Sequence, residues 1–167
     1  VGEFVIDAAI DTFKLADAES TLTAPNDIDV IVDIEGKKVA YESGKYVVVE
    51  DFEPVAEVNG EGYKTLADAI AAAAAGDTIT LLADIEMSAG ITVPTGKTIT
   101  LDLGGKIITG KDNATGSFGL FTNKGNLTIA DSVGNGKITL VAANNRGWNA
   151  YSSVISNQRG KLTVNGG

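Results

Sequence analysis

Three carboxylates at the ends of short β-like segments are the first candidates for chemistry in this chain. Asp84, Asp102 and Asp131 each stand at or just after an alternating stretch rich in Thr, Ile and Leu. If these segments lie side by side, the three side chains share one acidic edge. Two carboxylates about 5–10 Å apart can cleave glycosidic bonds. The competing interpretation, which we favour, is that each Asp accepts hydrogen bonds from backbone N–H groups and so closes a turn.

The stretch NNRGWNAYSS, residues 144–153, is the most unusual loop of the sequence. It holds the only Trp of the chain, Trp148, together with Arg146, Asn149 and Tyr151. Exposed aromatic rings beside amides are typical of surfaces that bind sugars or proteins. The alternative is that the loop folds its Trp over the neighbouring strands and serves packing alone. We name these four residues as a candidate ligand- or partner-contact loop.

Two residue types that carry much of enzyme chemistry are absent, since the sequence has no Cys and no His. Ser–His and Cys–His catalysis, disulfides, thiolate zinc sites and imidazole metal sites are therefore excluded. Two oxygen-rich loops, GKDNATG at 110–116 and DSVGNG at 131–136, lack the spacing of an EF-hand or a Gly-Gly-x-Gly-x-Asp repeat. We interpret both as turns. We expect no catalytic residue, no metal site and no cofactor.

The charge balance narrows the range of partners. The chain carries a net charge of −9 and a sequence pI near 4.4. Binding to nucleic acid requires clustered Lys and Arg, and anionic membranes repel an acidic surface. No apolar run approaches the roughly 18 residues of a membrane span. We therefore predict neither nucleic acid as a ligand nor insertion into a membrane.

An alanine-rich helix is expected in TLADAIAAAAAGD. Thr65 and Asp68 have the spacing of a capping box, and Gly76 stands where a helix end places its left-handed residue. The apolar side chains form one narrow face: Leu66, Ala69, Ile70 and Ala73. A helix this short needs packing to be stable. We predict a helix near 65–75 that caps the strands after it.

From residue 77 onward the sequence repeats an apolar-Thr-apolar pattern between Gly, Asn and Asp. The copies are DTITLLAD (77–84), KTITLDLGGKIITG (97–110), GNLTIADS (125–132), GKITLVA (136–142) and GKLTVNGG (160–167). A longer unit at 120–132 aligns with 154–167, with one inserted residue and an offset of 34 to 35 positions. Strands that recur in this way indicate a solenoid of stacked coils with Thr and Lys outward. A β-sandwich is the structural alternative.

Residues 1–55 have a different character. Alternating strands are predicted at 29–34, 39–42 and 46–52, with turns at 35–37 and 43–44. The leading EFVIDAAIDTFKLADA fits a helix or a strand, and we favour a strand. We predict a small N-terminal β domain over 1–55 and a second domain over 56–167. Because the sequence begins at Val1 without Met and stops within a repeat, we expect a portion of a longer protein.

The stretch EVNGEGYKTLADAIAAAAAGDTITLLADIEMSAGITVPTGKTITLDLGGKIITG resembles the start of right-handed parallel β-helices of the pectin-lyase-like superfamily. It is more closely similar to the β-helical modules of large bacterial surface proteins and of phage fibre or tail proteins. The resemblance covers about residues 56–167. It implies an all-β chain in which a capping helix is followed by the first coils of a truncated right-handed parallel β-helix.

The resemblance leaves two classes of function, because this fold carries both polysaccharide-cleaving enzymes and inert stalks. Hydrolases of the superfamily cluster Asp residues on one face, and its lyases use Asp-bound calcium with an Arg or Lys base. None of their paired-Asp or Arg-bearing motifs occurs here. We therefore expect no enzymatic activity. The expected role is a structural or adhesive element of an extracellular assembly, either a phage virion fibre or decoration protein or a bacterial surface protein.

Residues 1–55 would be the attachment end of such an element. They would bind protein partners of a capsid, tail or cell-surface assembly, or other copies of the chain in a homo-oligomer. The simpler interpretation is that they are another cap or a neighbouring bead in a multidomain chain. A glycan is a further expected ligand. The alternative function is a polysaccharide-binding or polysaccharide-degrading β-helix protein.

Overall fold

The structure is a computed structural model that describes residues 13–24, 29–112, 117–141 and 151–167. Most of these residues lie in β-strands, and one short helix is present among them. The expectation of an all-β chain is confirmed at this level. The chain divides into two compact units, residues 1–53 and 54–167.

The described part of the first unit, 13–24 and 29–53, contains five short strands: β1 (Phe13–Leu15), β2 (Thr21–Thr23), β3 (Val30–Val32), β4 (Lys37–Glu42) and β5 (Lys45–Glu50). Strands β2, β5 and β4 form an antiparallel sheet in that order, and β1 pairs with β3 in parallel. The predicted hairpin turn at Ser43 and Gly44 is confirmed by the pairing of β4 with β5. A small core of Leu15, Leu22 and Tyr46 lies within this unit. The strand predicted for the segment EFVIDAAIDTFKLADA lies partly outside the described residues. Its described part contains β1, which begins at Phe13.

The second unit contains one helix and twelve strands in its described part. The first group is β6 (Ala56–Val58), β7 (Glu61–Tyr63), α1 (Leu66–Ala72), β8 (Thr78–Leu81), β9 (Ile85–Met87), β10 (Ile91–Val93) and β11 (Thr98–Asp102). The second group is β12 (Ile107–Lys111), β13 (Phe118–Asn123), β14 (Asn126–Ala130), β15 (Lys137–Val141), β16 (Ser152–Asn157) and β17 (Lys161–Val164).

Every third strand after the helix pairs in parallel, so that three sheets form. One sheet contains β8, β11, β14 and β17 in succession, a second contains β9, β12 and β15, and a third contains β10, β13 and β16. The register follows the repeat of the sequence, since Asn123 lies opposite Asn157 and Leu127 opposite Leu162. The offset of 34 to 35 positions between the two aligned units is therefore confirmed.

A short hairpin covers the first edge of the largest sheet. Strand β6 pairs antiparallel with β8 on one side and with β7 on the other, which makes this sheet mixed. The hairpin satisfies backbone groups of β8 that would otherwise remain free at the edge. It was not predicted from the sequence.

The core of the second unit comes from alternate residues of these strands. In β8 and β11 the apolar residues of TITL are buried and the Thr residues between them are exposed or half-buried. The fully buried side chains include Ile79, Leu81, Ile99, Leu101, Leu103, Ile108, Leu120, Phe121 and Leu127. Burial on alternate positions is the pattern expected of a strand with one face on a core. The helix joins the same core through its predicted apolar face: Leu66, Ala69, Ile70 and Ala73.

The start of α1 is as predicted, but its end is not. The Asp68 N–H donates to the Thr65 hydroxyl oxygen at 3.1 Å, and that hydroxyl donates to the Asp68 carboxylate at 2.6 Å. The helix ends at Ala72, so Gly76 is not its capping residue. The physical reason is that the Ala74 N–H donates to the Asp77 carboxylate at 2.8 Å, which diverts the chain from the helix. The Lys97 ammonium closes the end by donating to the Ala71 carbonyl at 2.9 Å.

Candidate functional site

Of the three carboxylates named from the sequence, Asp102 is the last residue of β11, and Asp84 and Asp131 lie in the turns that follow β8 and β14. The Asp84 Oδ1 atom accepts a hydrogen bond from the Ile107 N–H at 2.8 Å. The Asp102 Oδ1 atom accepts from the Gly104 N–H at 3.0 Å within its own turn and from the Ser132 N–H at 2.9 Å. Asp102 thus joins its own turn to the turn that follows β14.

Asp131 makes the reciprocal connection with both of its oxygen atoms. Its Oδ1 atom accepts from the Gly105 N–H at 2.8 Å, and its Oδ2 atom accepts from the Gly136 N–H at 2.7 Å. Gly105 belongs to the turn after β11, and Gly136 belongs to the turn after β14. Asp102 and Asp131 therefore hold the same two turns together from opposite sides.

The electrostatics of these two carboxylates follow from their hydrogen bonds. Loss of hydration on burial raises the pKa of Asp102, but hydrogen bonds from Ser132 and Gly104 outweigh it and leave the pKa below its ordinary value. The pKa of Asp131 is likewise raised by lost hydration and by the charge of Asp102. Backbone N–H groups of Gly105, Gly136 and Gly134 outweigh both effects and lower it.

Carboxylates held in this way close turns, as the second interpretation of the sequence expects. A catalytic acid has to keep a proton near neutral pH, which requires a raised pKa. Asp102 and Asp131 have lowered pKa values, and all three carboxylates accept hydrogen bonds from backbone N–H groups, with the Ser132 side chain as a further donor to Asp102. Their geometry favours a structural role.

The candidate contact loop lies mostly outside the described residues. Arg146, Trp148 and Asn149 are not described, and Tyr151 is. The side chain of Tyr151 is exposed, and its backbone carbonyl accepts from the Phe118 N–H at 2.8 Å. Tyr151 therefore stands directly before β16 with its ring available to solvent.

A buried asparagine is the polar residue that the sequence interpretation missed. Asn123 is fully buried, and its Nδ2 atom donates to the Asn157 Oδ1 atom at 2.8 Å and to the Lys161 carbonyl at 3.0 Å. Its Oδ1 atom accepts from the Gly125 N–H at 3.2 Å. The signal was present, because the aligned units LFTNKGN and VISNQRGK place Asn at the same position.

A shallow groove of about 480 Å³ lies between the start of α1 and the segment from Asp84 to Ile91. Most of its lining is apolar. Glu86, on its wall, is paired with Lys111 at 2.5 Å between the carboxylate oxygen and the ammonium nitrogen. Its other polar lining residues include Thr65 and Asp84, whose side chains already bind the Asp68 and Ile107 N–H groups.

The described ranges contain neither a metal-binding cluster nor a membrane-spanning helix. No group of three or more Asp and Glu side chains gathers there in a way that could hold a metal ion. No helix in the same ranges is long and apolar enough to cross a membrane.

No protein family, no curated protein and no solved structure matches the chain. Its function is therefore inferred from its own residues and their geometry.

Proposed function

We propose that residues 56–167 form the first coils of a right-handed parallel β-helix of the pectin-lyase-like type. The observation that carries the proposal is the parallel pairing of every third strand in three sheets. Three strands then make one coil, and the buried alternate residues of successive coils stack on each other. The hairpin β6–β7 and the helix α1 would serve as the cap at the first coil.

The function that this arrangement supports best is a non-enzymatic structural or adhesive element of an extracellular assembly. The assembly would be a phage virion fibre or decoration protein, or a bacterial surface protein. In a solenoid each coil needs only its neighbours, so the architecture suits a rod. The polar side chains with a defined geometry hold turns together: Asp84, Asp102, Asp131 and Asn123. The lowered pKa values of Asp102 and Asp131 are unsuited to a general acid, the role that a glycosidase gives to one of its two carboxylates.

Residues 1–55 are proposed as the attachment end. Their partner would be a protein of the assembly or another copy of this chain. Residues 1–53 form a compact unit of their own, which supports an attachment role separate from the role of residues 54–167. The contact loop with Tyr151 remains a proposed surface for a glycan or protein.

Immunogold labelling tests the location. Antibodies against the purified chain are applied to intact cells of the organism that encodes it and to purified phage particles. We expect label on one of these surfaces without permeabilisation. Label that appears only inside permeabilised cells would contradict an extracellular role.

An activity assay tests the other half of the proposal. The purified chain is incubated with pectin, alginate and host-type glycans, and we expect no product. Cleavage that is lost on Asp102→Asn or Asp131→Asn would instead favour the polysaccharide-degrading alternative. Asp102→Asn keeps the Oδ1 acceptor that binds Gly104 and Ser132, whereas Asp131→Asn places an NH2 donor against one of two backbone N–H groups. Circular dichroism therefore has to establish that each variant is folded before loss of product is assigned to chemistry.

A further inference from the structure

The charge of this chain is divided very unevenly between its two units. Residues 1–53 contain 13 Asp and Glu against four Lys, which gives a formal charge of −9. Residues 54–167 contain nine Asp and Glu against nine Lys and Arg, which gives zero. The whole net charge of −9 therefore belongs to the first unit. A net charge concentrated in this way creates a field that attracts a basic surface.

The acidic character of the first unit is not neutralised by its own lysines. Three of its four Lys residues are already paired with carboxylates: Lys14 with Asp33, Lys37 with Glu50, and Lys38 with Asp51. Several exposed carboxylates lie outside those pairs in the described part of the unit: Glu19, Glu35, Glu42 and Glu53.

The second unit has the opposite charge at one of its edges. Lys97, Lys124 and Arg159 lie in the turns that lead into β11, β14 and β17, and Lys161 is the first residue of β17. We call these four residues the basic edge. The turns stack on one another, because the Asn126 N–H donates to the Lys97 carbonyl and the Lys161 N–H to the Gly125 carbonyl, both at 2.8 Å. Four cations of a unit with zero net charge are thus collected at one edge.

No carboxylate competes for these cations nearby in sequence. The segments 94–98, 124–126 and 157–161 contain no Asp and no Glu. Within the described ranges no ion pair involves any member of the basic edge, and Lys97 donates to a helix carbonyl instead. Asp102 and Asp131, which close turns, follow the same strands at their other ends. Asp77 precedes β8 at the end where the basic edge lies, but its carboxylate accepts from the Ala74 N–H and the Asn59 amide.

The basic edge is also shaped and held in place. A depression of about 380 Å³ is lined by Thr95, Lys124, Gln158 and Arg159. Arg159 adopts a left-handed backbone conformation with φ of 67°, which is unusual for a residue with a side chain. The next residue, Gly160, packs so closely that an added Cβ atom would lie 2.4 Å from the Gly125 carbonyl oxygen. The guanidinium group is therefore presented from a tightly packed turn.

We propose that the basic edge of one copy binds the acidic first unit of a second copy, so that the chain assembles head to tail. The inference rests on the proposed structural role and names the partner for its attachment end. Opposite charges on two different surfaces of one chain favour a contact between unlike surfaces, and such a contact repeats from copy to copy. Attraction between exposed charges is screened by salt, so the assembly should weaken as ionic strength rises.

Nucleic acid fits the basic edge less well. A second copy brings a net charge of −9, which complements the cations of this edge, whereas a chain of that net charge repels a duplex. The described segments 94–98, 124–126 and 157–161 also contain no aromatic residue on which a base could stack.

Sedimentation velocity on the full chain tests the proposal over a concentration series at low salt. Variant A, Lys124→Glu with Arg159→Glu, reverses the basic edge. Variant B, Glu19→Lys with Glu35→Lys, reverses part of the acidic unit. The control, Lys64→Glu with Lys137→Glu, changes the net charge as variant A does but at other exposed positions. Circular dichroism establishes that each variant is folded.

We expect the wild-type chain and the control to associate with rising concentration. Variants A and B each should weaken self-association by about tenfold or more, because each reversal replaces attraction by repulsion. An equimolar mixture of A and B should form a dimer, because A retains the acidic unit and B retains the basic edge. Raising NaCl from about 0.1 to about 1 M, which shortens the Debye length from about 10 to about 3 Å, should dissociate the wild type.

Four results would overturn the proposal. They are a wild-type chain that stays monomeric throughout, a control that loses association as variant A does, a mixture of A and B that stays monomeric, and a monomer that binds heparin or duplex DNA through the basic edge. The proposed extracellular role is judged separately by surface labelling. Sedimentation velocity therefore reports a failure of head-to-tail assembly, and surface labelling reports a failure of the extracellular role.

Discussion

Replacing Asn123 by Leu should destabilise the second unit more than any exposed polar substitution, because this amide connects three backbone segments. The side chain is fully buried and makes hydrogen bonds to Asn157, to the Lys161 carbonyl and to the Gly125 N–H. Leu has the same branching and the same number of side-chain heavy atoms with larger terminal groups, so the variant removes the hydrogen bonds without leaving a cavity. The variant thus isolates the polar contribution from the effect of a cavity.

The expected magnitude follows from the groups that lose their partners. The Gly125 N–H and the Lys161 carbonyl remain behind in the protein, and each such group costs about 1–3 kcal/mol when buried without a partner. Burying the apolar Leu side chain returns about 1–2 kcal/mol. At mid-range the two groups cost about 4 kcal/mol and Leu returns about 1.5 kcal/mol, so the free energy of unfolding should fall by about 2–3 kcal/mol, a large share of the roughly 5–15 kcal/mol of a typical domain.

Urea unfolding followed by far-ultraviolet circular dichroism measures this loss, because twelve of the described strands lie within 54–167. With a slope of about 2 kcal/mol per molar urea, the midpoint should fall by about 1–1.5 M. The matched control is Asn126→Leu, in the next strand, where an exposed amide makes one hydrogen bond to the Thr98 hydroxyl at 3.1 Å. That variant should lose less than about 0.5 kcal/mol. Equal losses in the two variants would refute the reasoning.

Three further predictions concern the turns and the register. Gly125→Ala should cost about 1–3 kcal/mol of unfolding free energy, because the added Cβ atom would lie 2.4 Å from the Lys97 carbonyl oxygen. Gly134→Ala, which meets nothing within 4 Å, should cost about 1 kcal/mol for its positive φ alone, and a smaller loss at Gly125 would contradict the packing. The pKa of Asp102 is lowered in the folded chain, so its ionised carboxylate stabilises the fold at pH values above its ordinary pKa of 3.8. That stabilisation is lost as the pH falls through the lower pKa of the folded chain. Asp102→Asn should therefore lose less stability than the wild type between about pH 5 and about pH 2 in urea titrations, and an unchanged pH dependence would count against this carboxylate. Finally, Thr100→Cys with Thr128→Cys should form a disulfide on mild oxidation in this Cys-free chain, because the two residues are register partners in β11 and β14. The offset pair Thr98→Cys with Ala130→Cys should not, and cross-linking of the offset pair instead would place the strands in another register.

The parts of the fold that the sequence predicted are those with a strong local signal. The repeat gave the pairing of β13 with β16 and of β14 with β17, since buried apolar residues at matching positions leave only one register that keeps them inside. The capping box gave the start of α1 for a similar reason, because Thr65 and Asp68 interact within a single turn. Both signals depend on residues that are close in sequence or repeated.

The parts that were missed depend on contacts between distant residues. The end of α1 is set by Asp77 and by Lys97, neither of which lies in the helix. Strands β9 and β10 have three residues each, too few to display an alternation. The hairpin β6–β7 did have a local signal in Asn59-Gly60, a favoured two-residue hairpin turn, which was overlooked.

The candidate site illustrates the same limit in chemical terms. The sequence correctly placed Asp84, Asp102 and Asp131 at strand ends, but residue type alone cannot distinguish a carboxylate that reacts from one that binds N–H groups. The distinction comes from partners such as Ser132 and Gly105, which are about 26 to 30 residues away from the carboxylate that they contact. Each is brought near by the stacking of turns. The charge division was accessible from the sequence, but a net charge summed over the whole chain conceals it.

The two sets of polar residues in the second unit differ in what they leave available for a partner. The carboxylates at the ends of β8, β11 and β14 accept hydrogen bonds from backbone N–H groups, and these contacts join one turn to the next. The cations of the basic edge have no carboxylate partner within the described ranges, although their turns are joined by equally short backbone hydrogen bonds. The turns with these carboxylates and the turns of the basic edge lie at opposite ends of the same strands. The stacking of those strands therefore sets the spacing of both the carboxylates and the cations. A unit with zero net charge can in this way present a positive surface, and the excess negative charge of the first unit supplies its complement.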